Sequence, residues 1–226
     1  MVEQRGTLTY LVDDHIAFHH DGTGADYAAE LLDEETAENI RIYIMQCNGG
    51  YDDGAATPEH ISLCRVGQIV GSDGNVYDVI DKNRLPEGVT AVGVIACRTV
   101  ADGEVKGLIL ALTDELTEFS WDDACGERGA AAHKPTINGY QWKLPSRSEW
   151  EQMLTACGGS ASNWRGISNK LVAIGGTPLQ NNRYYWTSTE DGNKAWLLAT
   201  SHGGNGYFTS LSKSQTKYRA RSCVAF

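Results

Sequence analysis

The chain has 226 residues, enough for one large domain or two small ones, with 41% hydrophobic residues, 21% charged residues and 25 glycines, the composition of a loop-rich globular protein. Its net charge of −10 is uneven: residues 1–60 hold 2 Lys+Arg against 13 Asp+Glu, the remainder 17 against 16, and all six tryptophans fall in the second part. The acidic first part repels phosphate backbones and argues against nucleic-acid binding, no stretch approaches the ~20 apolar residues that span a bilayer, and the first ten residues lack a basic start followed by an apolar core.

In chain order, residues 1–60 read as an acidic segment for assembly or attachment. Thr7 to Phe18 forms a strand-like apolar run, Tyr27 to Ile40 an acidic helix with Ala28, Leu31, Leu32 and Ala37 on one side, and Arg41 to Met45 a second strand. Asn48 to Pro58 is dense in turn formers and marks a linker, so a boundary falls near residue 60. Beyond it, Val66 to Val70 and Val76 to Ile80 flank Ser72-Asp-Gly74, and Val89 to Cys97 and Lys106 to Leu112 frame Ala101-Asp-Gly103. Asp-Gly is a hairpin signal, and these runs predict an antiparallel sheet.

Ser120-Trp-Asp-Asp123 fits an N-cap with acids in the first turn. In Lys143-Leu-Pro-Ser-Arg-Ser-Glu-Trp150, Ser146 and Glu149 are spaced as a capping box, and Trp150, Met153 and Leu154 give the helix an apolar face that Gly158-Gly159 ends. Strands follow at Tyr184 to Ser188, Ala195 to Ala199, Gly206 to Leu211 and Tyr218 to Phe226, the last of them placed inside the sheet because an unpaired terminal strand frays. Trp186 and Trp196 read as core tryptophans on adjacent strands. Trp150, Arg219 and Phe226 complete the expected scaffold.

This order of hairpins, the Lys143–Trp150 helix start, Tyr185-Trp-Thr-Ser-Thr-Glu190, Ala195-Trp196 and Tyr218-Arg-Ala-Arg221 resembles the C-type-lectin-like fold shared by formylglycine-generating enzymes and by the variable proteins of diversity-generating retroelements. The resemblance covers roughly residues 61–226 and implies an α+β domain of antiparallel strands with two helices. It also implies a receptor-binding function of the phage-tail or cell-surface adhesin kind, directed at a host-surface protein or glycan. Related phage proteins are trimers, so the resemblance further implies oligomerisation through the N-terminal part.

From Leu197 to Phe226 there is no Asp or Glu, while Ser, Thr, Gly, Asn and Tyr crowd together. That vocabulary matches antibody-like binding surfaces, where Tyr supplies contact area and Ser, Gly and Asn adapt their hydrogen bonds. In the retroelement family, mutation of adenines in asparagine-type codons yields Asn, Tyr, Ser, Asp, His, Gly, Thr or Leu but not Lys, Glu or Gln. By that rule the ligand-binding positions are Asp191, Asn193, Leu198, Thr200, His202, Asn205, Tyr207, Ser210, Ser212, Ser214, Thr216 and Tyr218, whereas Lys213, Gln215 and Lys217 are fixed.

Enzyme readings fare less well. Formylglycine-generating enzymes need a reactive cysteine pair, and only Cys223 lies beyond Cys157, on an apolar terminal strand where a thiol is not activated. The six cysteines are widely spaced without a metal knuckle and read as reduced and structural. His15, His19, His20 and Asp21 form the one metal-like cluster, but adjacent histidines diverge on a strand or helix. Gly22-Thr-Gly24 lacks a third glycine and a preceding βαβ unit. No cofactor, metal or catalytic residue is expected; the alternatives are a formylglycine-generating-enzyme-like cysteine oxidoreductase and a non-variable structural lectin-like module.

Overall fold

A computed structural model of the chain describes residues 8–13, 16–20, 27–31, 56, 58–101, 103–126, 129, 136–201, 204–215 and 217–226. The chain divides into two compact units, Met1–Ala55 and Ala56–Phe226. In the first, β1 (Leu8–Asp13), β2 (Ile16–His20) and β3 (Tyr27–Leu31) form an antiparallel meander. The single strand expected over 7–18 is thus a hairpin, with Leu8 opposite His20 and Leu11 opposite Ala17. Tyr27–Leu31, the expected start of an acidic helix, is a strand paired to β2 from Tyr27↔His20 to Leu31↔Ile16; ladder pairing here overrides a weak helical pattern. The rest of that helix, the strand at 41–45, most of the linker, His15 and Asp21 lie outside the described residues.

The second unit is α+β. Its larger sheet holds β4 (Ile69–Gly71), β5 (Val76–Tyr77), β6 (Ala91–Ala101), β7 (Glu104–Ala111) and β11 (Cys223–Ala225) in the order β11-β7-β6-β4-β5, every pair antiparallel. The β4–β5 and β6–β7 hairpins form where expected, with Gly74 and Gly103 at φ of 82° and 79°, a left-handed backbone that glycine adopts without strain. Asp73 caps its turn by accepting from the Asn75 N–H at 3.2 Å and the Tyr77 hydroxyl at 2.7 Å. Residues after Tyr77 curl into a 3₁₀ turn, Val79–Asp81, where the sequence predicted more strand.

Helix packing explains why β6 and β7 read as near-continuous apolar runs instead of alternating. One face of the sheet (Ile69, Val94, Leu108, Leu110) packs with Trp150, Met153, Leu154, Ile167 and Leu171. The other (Val70, Val76, Ile95, Ile109, Val224) packs with Ile137 and Trp142. A strand covered on both sides has no polar face to show.

The described residues of this unit hold three α-helices, α1 (Trp121–Cys125), α2 (Arg147–Ala156) and α3 (Arg165–Ala173). Ser120 caps α1 by accepting from the Asp123 N–H at 3.2 Å. The capping box of α2 is complete: Ser146 Oγ accepts from the Glu149 N–H at 3.2 Å and Glu149 Oε2 from the Ser146 N–H at 2.7 Å. Helix α3 carries no such signal, because its N-cap is Trp164 with no side-chain bond to the first turn. No local capping signal marks its start.

The terminal segment also differs from expectation. Only Cys223–Ala225 is strand, paired to β7 at the edge of the large sheet, while Tyr218 and Arg219 make separate bridges to Phe119 and Tyr185. Lys143 closes the outer side of Cys223 through two backbone bonds of 2.8 Å.

The capping box yields a pH-dependent prediction. Burial pushes the Glu149 carboxyl up, but the Lys143 ammonium and the Ser146 backbone outweigh it and hold the group below the usual glutamate range. A carboxylate depressed in the folded state contributes stability above its unfolded pKa of about 4.3, and that stability is lost as pH falls through the lower folded value. Glu149→Gln is therefore expected to lower Tm at neutral pH, with the deficit shrinking below about pH 4, whereas Ser146→Ala costs about 1 kcal/mol. A Glu149→Gln deficit that stays constant down to acid pH in thermal melts would refute the assignment.

Candidate ligand-binding surface

The smaller sheet of the second unit carries most of the positions in question. It consists of β8 (Arg183–Asp191), β9 (Lys194–Thr200) and β10 (Gly206–Ser212) in the order β10-β9-β8. Register assigns its two faces. Tyr184 and Trp186 on β8 share a face with Ala199 and Leu197 on β9 and with Tyr207 and Thr209 on β10; Tyr185, Leu198 and Phe208 share the other.

Both faces are partly built over. On the first, Trp186, Ala195 and Leu197 pack with Phe119, Trp121, Ala124, Leu144 and Ala220. Reciprocal indole bonds join the layers, Trp186 Nε1 donating to the Phe119 carbonyl at 3.0 Å and Trp121 Nε1 to the Thr187 carbonyl at 2.8 Å. On the second, Tyr185 and Leu198 join the core with Trp150. Two of the twelve expected binding positions are consequently interior. Leu198 is fully buried, and buried Thr200 places its hydroxyl 2.5 Å from the Gln180 carbonyl while accepting from the Arg183 N–H at 3.0 Å. A central strand covered on both sides withdraws its side chains whatever their codons allow.

Trp196 corrects a second expectation. Its register partner is Ser210, on the face opposite Trp186, and the ring is half-buried with the Arg147 guanidinium 4.1 Å from its centroid. It is a surface platform roofed by a cation and not a core residue.

The remaining positions fall in two groups. At one end, Tyr207 is half exposed and Tyr218 half-buried, the Tyr218 ring 5.1 Å from Trp186 edge-on and 5.1 Å from Tyr184. Tyr184 and Tyr207 flank Ala199 across the sheet, and the small side chain leaves room for their hydroxyls to meet. That contact with Tyr207 pushes the Tyr184 hydroxyl above the ordinary tyrosine range. Sequence reasoning missed Tyr184, although period-2 spacing from Trp186 places it on this face. At the other end, exposed Asp191 and Asn193 flank Gly192, whose φ of 63° closes the β8–β9 turn, beside Ser212 and exposed Ser214, with hydroxyls 3.0 Å apart.

Lys213, a position excluded from variation, anchors that end: its Nζ lies 2.7 Å from Glu190 and 4.3 Å from the Trp121 ring centroid. Asn205 exposes its side chain while its carbonyl accepts from Trp164 Nε1 at 2.6 Å. Ser210 is half-buried, and His202 and Thr216 lie outside the described residues.

Behind this surface sits a buried ion cluster. Arg221, fully buried, donates to Asp114 Oδ1 at 2.7 Å and to the Thr177 carbonyl and hydroxyl at 2.8 and 3.0 Å. Asp114 also accepts from the Tyr185 hydroxyl at 3.0 Å and lies 3.4 Å from Arg219. Arg219 in turn fixes β8 through its backbone, bonding Tyr184 and Trp186 at 2.8 and 2.9 Å.

Cys64, Cys97, Cys157 and Cys223 are buried free thiols; burial pushes Cys157 up to about 11 and raises Cys223 further. Among the described residues no cluster of three His, Cys, Asp or Glu has metal-binding geometry. Two adjoining grooves of about 460 and 450 Å³ lie between β6 and α2, where Cys97, Thr99, Ser148 and Gln152 line both. None of the ten described positions lines them.

No family model and no curated protein matches the chain. Among solved structures it is similar to a fimbrial protein from Bacteroides ovatus at 12% identity and a TM-score of 0.45, over 93% of this chain and 56% of that one. The chain thus spans little more than half the length of that structure, and a likeness of this degree identifies no function.

Two measurements test the site geometry. Asp114→Ala strands the buried guanidinium and is expected to cost roughly 3 to 5 kcal/mol by denaturant melts, against well under 1 kcal/mol for an exposed position such as Asn193→Ala. Tyr207→Phe is expected to bring the Tyr184 titration, followed by ultraviolet absorbance, back toward about pH 10. An unchanged titration would show that the two hydroxyls do not interact.

Proposed function

We propose that this chain is a non-enzymatic ligand-binding protein, a C-type-lectin-like variable protein of the retroelement-diversified kind, acting as a surface or phage-tail adhesin. The binding face comprises the outer part of the β8–β9–β10 sheet: Tyr184, Tyr207 and Tyr218 at one end and Asp191, Asn193, Ser212 and Ser214 at the other. The partner is a macromolecule, a host-surface protein or glycan.

One observation carries this reading. The solvent-facing positions of the small sheet and its turns include Tyr207, Ser188, Ser214, Asn193 and Asp191 among the charged Arg183, Glu190 and Lys194, while its interior-facing positions are Tyr185, Trp186, Leu197 and Leu198, held by packing, and Lys213 and Arg221 anchor it through ion pairs. Rigid tyrosines lose little side-chain freedom on binding and supply both an apolar face and a hydroxyl. A scaffold fixed from beneath tolerates exchange of such residues without losing its shape. The raised thiol of Cys223 and its burial weigh against the cysteine oxidoreductase alternative.

The test pairs binding with stability. On a printed glycan array and on a panel of intact bacterial cells, the full chain is expected to bind and Tyr207→Ala with Ser214→Ala to lose that binding, at a stability cost within about 1 kcal/mol. Leu198→Ala is expected to fail differently, by destabilising the fold by about 2 to 5 kcal/mol. Undiminished binding by the surface variant would remove the proposed face. The diversified origin has its own check in the flanking DNA: a near-copy of the codons for residues 184–226 that differs at adenines, beside a reverse transcriptase. Its absence would leave an undiversified module.

A further inference from the structure

In the Ala56–Phe226 unit, three of the four outermost strands of the two sheets are met on their outer side by backbone among the described residues. Glu59 closes β5 through two bonds of 2.9 Å to Val76. Lys143 closes β11 at Cys223. Arg219 and the Pro145 carbonyl, which accepts from the Ser188 N–H at 2.9 Å, close β8. The outer edge of β10 has no such cover among the described residues.

Which of its groups face outward follows from the register. Asn205 bonds Ser201 through its carbonyl, and Lys213 bonds the Asn193 carbonyl through its N–H; both are positions where β10 and its flanks hydrogen-bond toward β9. Antiparallel pairing alternates such positions, so Tyr207, Thr209 and Leu211 bond inward, while the N–H and C=O groups of Phe208 and Ser210 point away from the sheet; the Ser212 carbonyl accepts from the Gln215 N–H at 3.1 Å. Open edges are ordinarily blunted by Lys, Pro, a bulge or an inward charge. Gly206–Ser212 (GYFTSLS) has none of these, and its pairing with β9 runs without a register shift.

We propose that β10 is a homodimer interface in which a second copy of this chain adds its own β10 antiparallel about a two-fold axis at Thr209. The strand is complementary to itself in that register. Thr209 faces Thr209 and Tyr207 faces Leu211, pairs of the kind that stabilise cross-strand contacts. Phe208 and Ser210 then exchange hydrogen bonds, each with the other copy's counterpart. No charge lies on the strand to repel its copy, and residues 61–226, the part of the chain that holds it, carry 17 basic against 16 acidic residues. At one end Gly206 abuts the Ala161 carbonyl and the Trp164 ring, which limits the paired stretch to the residues after it. The two three-stranded sheets become one, and both copies present Tyr207 on the same side of it. The interface does not depend on the ligand-binding reading and fails or stands separately.

Two variants of the full chain test it, with oligomeric state read by sedimentation velocity over a concentration series. Ser210→Pro removes an outward N–H and none that bonds β9, a position where an edge strand tolerates proline. It is expected to keep near-native thermal unfolding and to shift the dimer about tenfold or more toward monomer, since symmetry deletes the bond twice. Thr209→Cys places two thiols across the axis at a non-hydrogen-bonded pair with Cα atoms about 4.5 Å apart, within disulfide reach. Under diamide it is expected to give a covalent dimer joined at residue 209 in peptide mass analysis, whereas Tyr207→Cys gives no 207–207 link. If Ser210→Pro fails to fold, the Thr209→Cys link decides alone. A wild-type chain that stays monomeric at all concentrations, a dimer indifferent to Ser210→Pro, or the lack of a 209–209 link overturns the proposal, including when β10 instead takes an unrelated extended peptide.

Discussion

A guanidinium shut away from water is tolerated only if its charge and its donors are met together, because the desolvation of an unpaired ion costs several kcal/mol. Arg221 meets that requirement by drawing three separate parts of the chain to one point: Asp114 from the segment after β7, Thr177 from the loop after α3, and, through Asp114, the hydroxyl of Tyr185 on β8. With those fixed, Arg219 two residues earlier is held where its backbone completes the outer edge of β8. The small sheet therefore takes its position from a salt bridge that it does not itself contain. This also accounts for the burial of Tyr185 beside Trp150, whose ring centroid lies 6.2 Å away: the phenol enters the core because its hydroxyl has a carboxylate to meet.

Local signals in the sequence translated well, and distant ones did not. The capping box of α2 was legible because both of its partners lie within three residues, and the hairpins because Asp-Gly sits between two apolar runs. Helix α3 was invisible, since it starts at an uncapped tryptophan and owes its place to Ile167 and Leu171 packing in the core. Asp114 carries no local signal because its partners Tyr185, Arg219 and Arg221 lie 71 to 107 residues away in sequence. In β3, residues compatible with either period were decided by a neighbouring strand.

The candidate surface shows the same division. Tyr207, Asp191, Asn193 and Ser214, selected by the residue types that the family resemblance allows, are exposed, since polar residues in turns and on an edge strand have nowhere to go but outward. Leu198 and Thr200 were misplaced because residue type does not report whether a strand is covered on one side or two. Trp196 was misplaced for the converse reason: a tryptophan at a sheet surface is stabilised when Arg147 covers its face.

Thr200 carries a consequence of its own. Side chains open to water change cheaply, but this hydroxyl bridges two turns of the chain at once, and larger or apolar replacements would leave the Gln180 and Arg183 backbone groups without their partner. Any process that alters this stretch of the gene, whether slow drift or directed mutation, thus meets two kinds of site a few residues apart. At one kind nearly every outcome survives as a folded molecule; at the other most are lost before they meet any ligand. The repertoire available to such a surface is set by the number of positions that folding leaves unguarded, which is smaller than the number the codons permit.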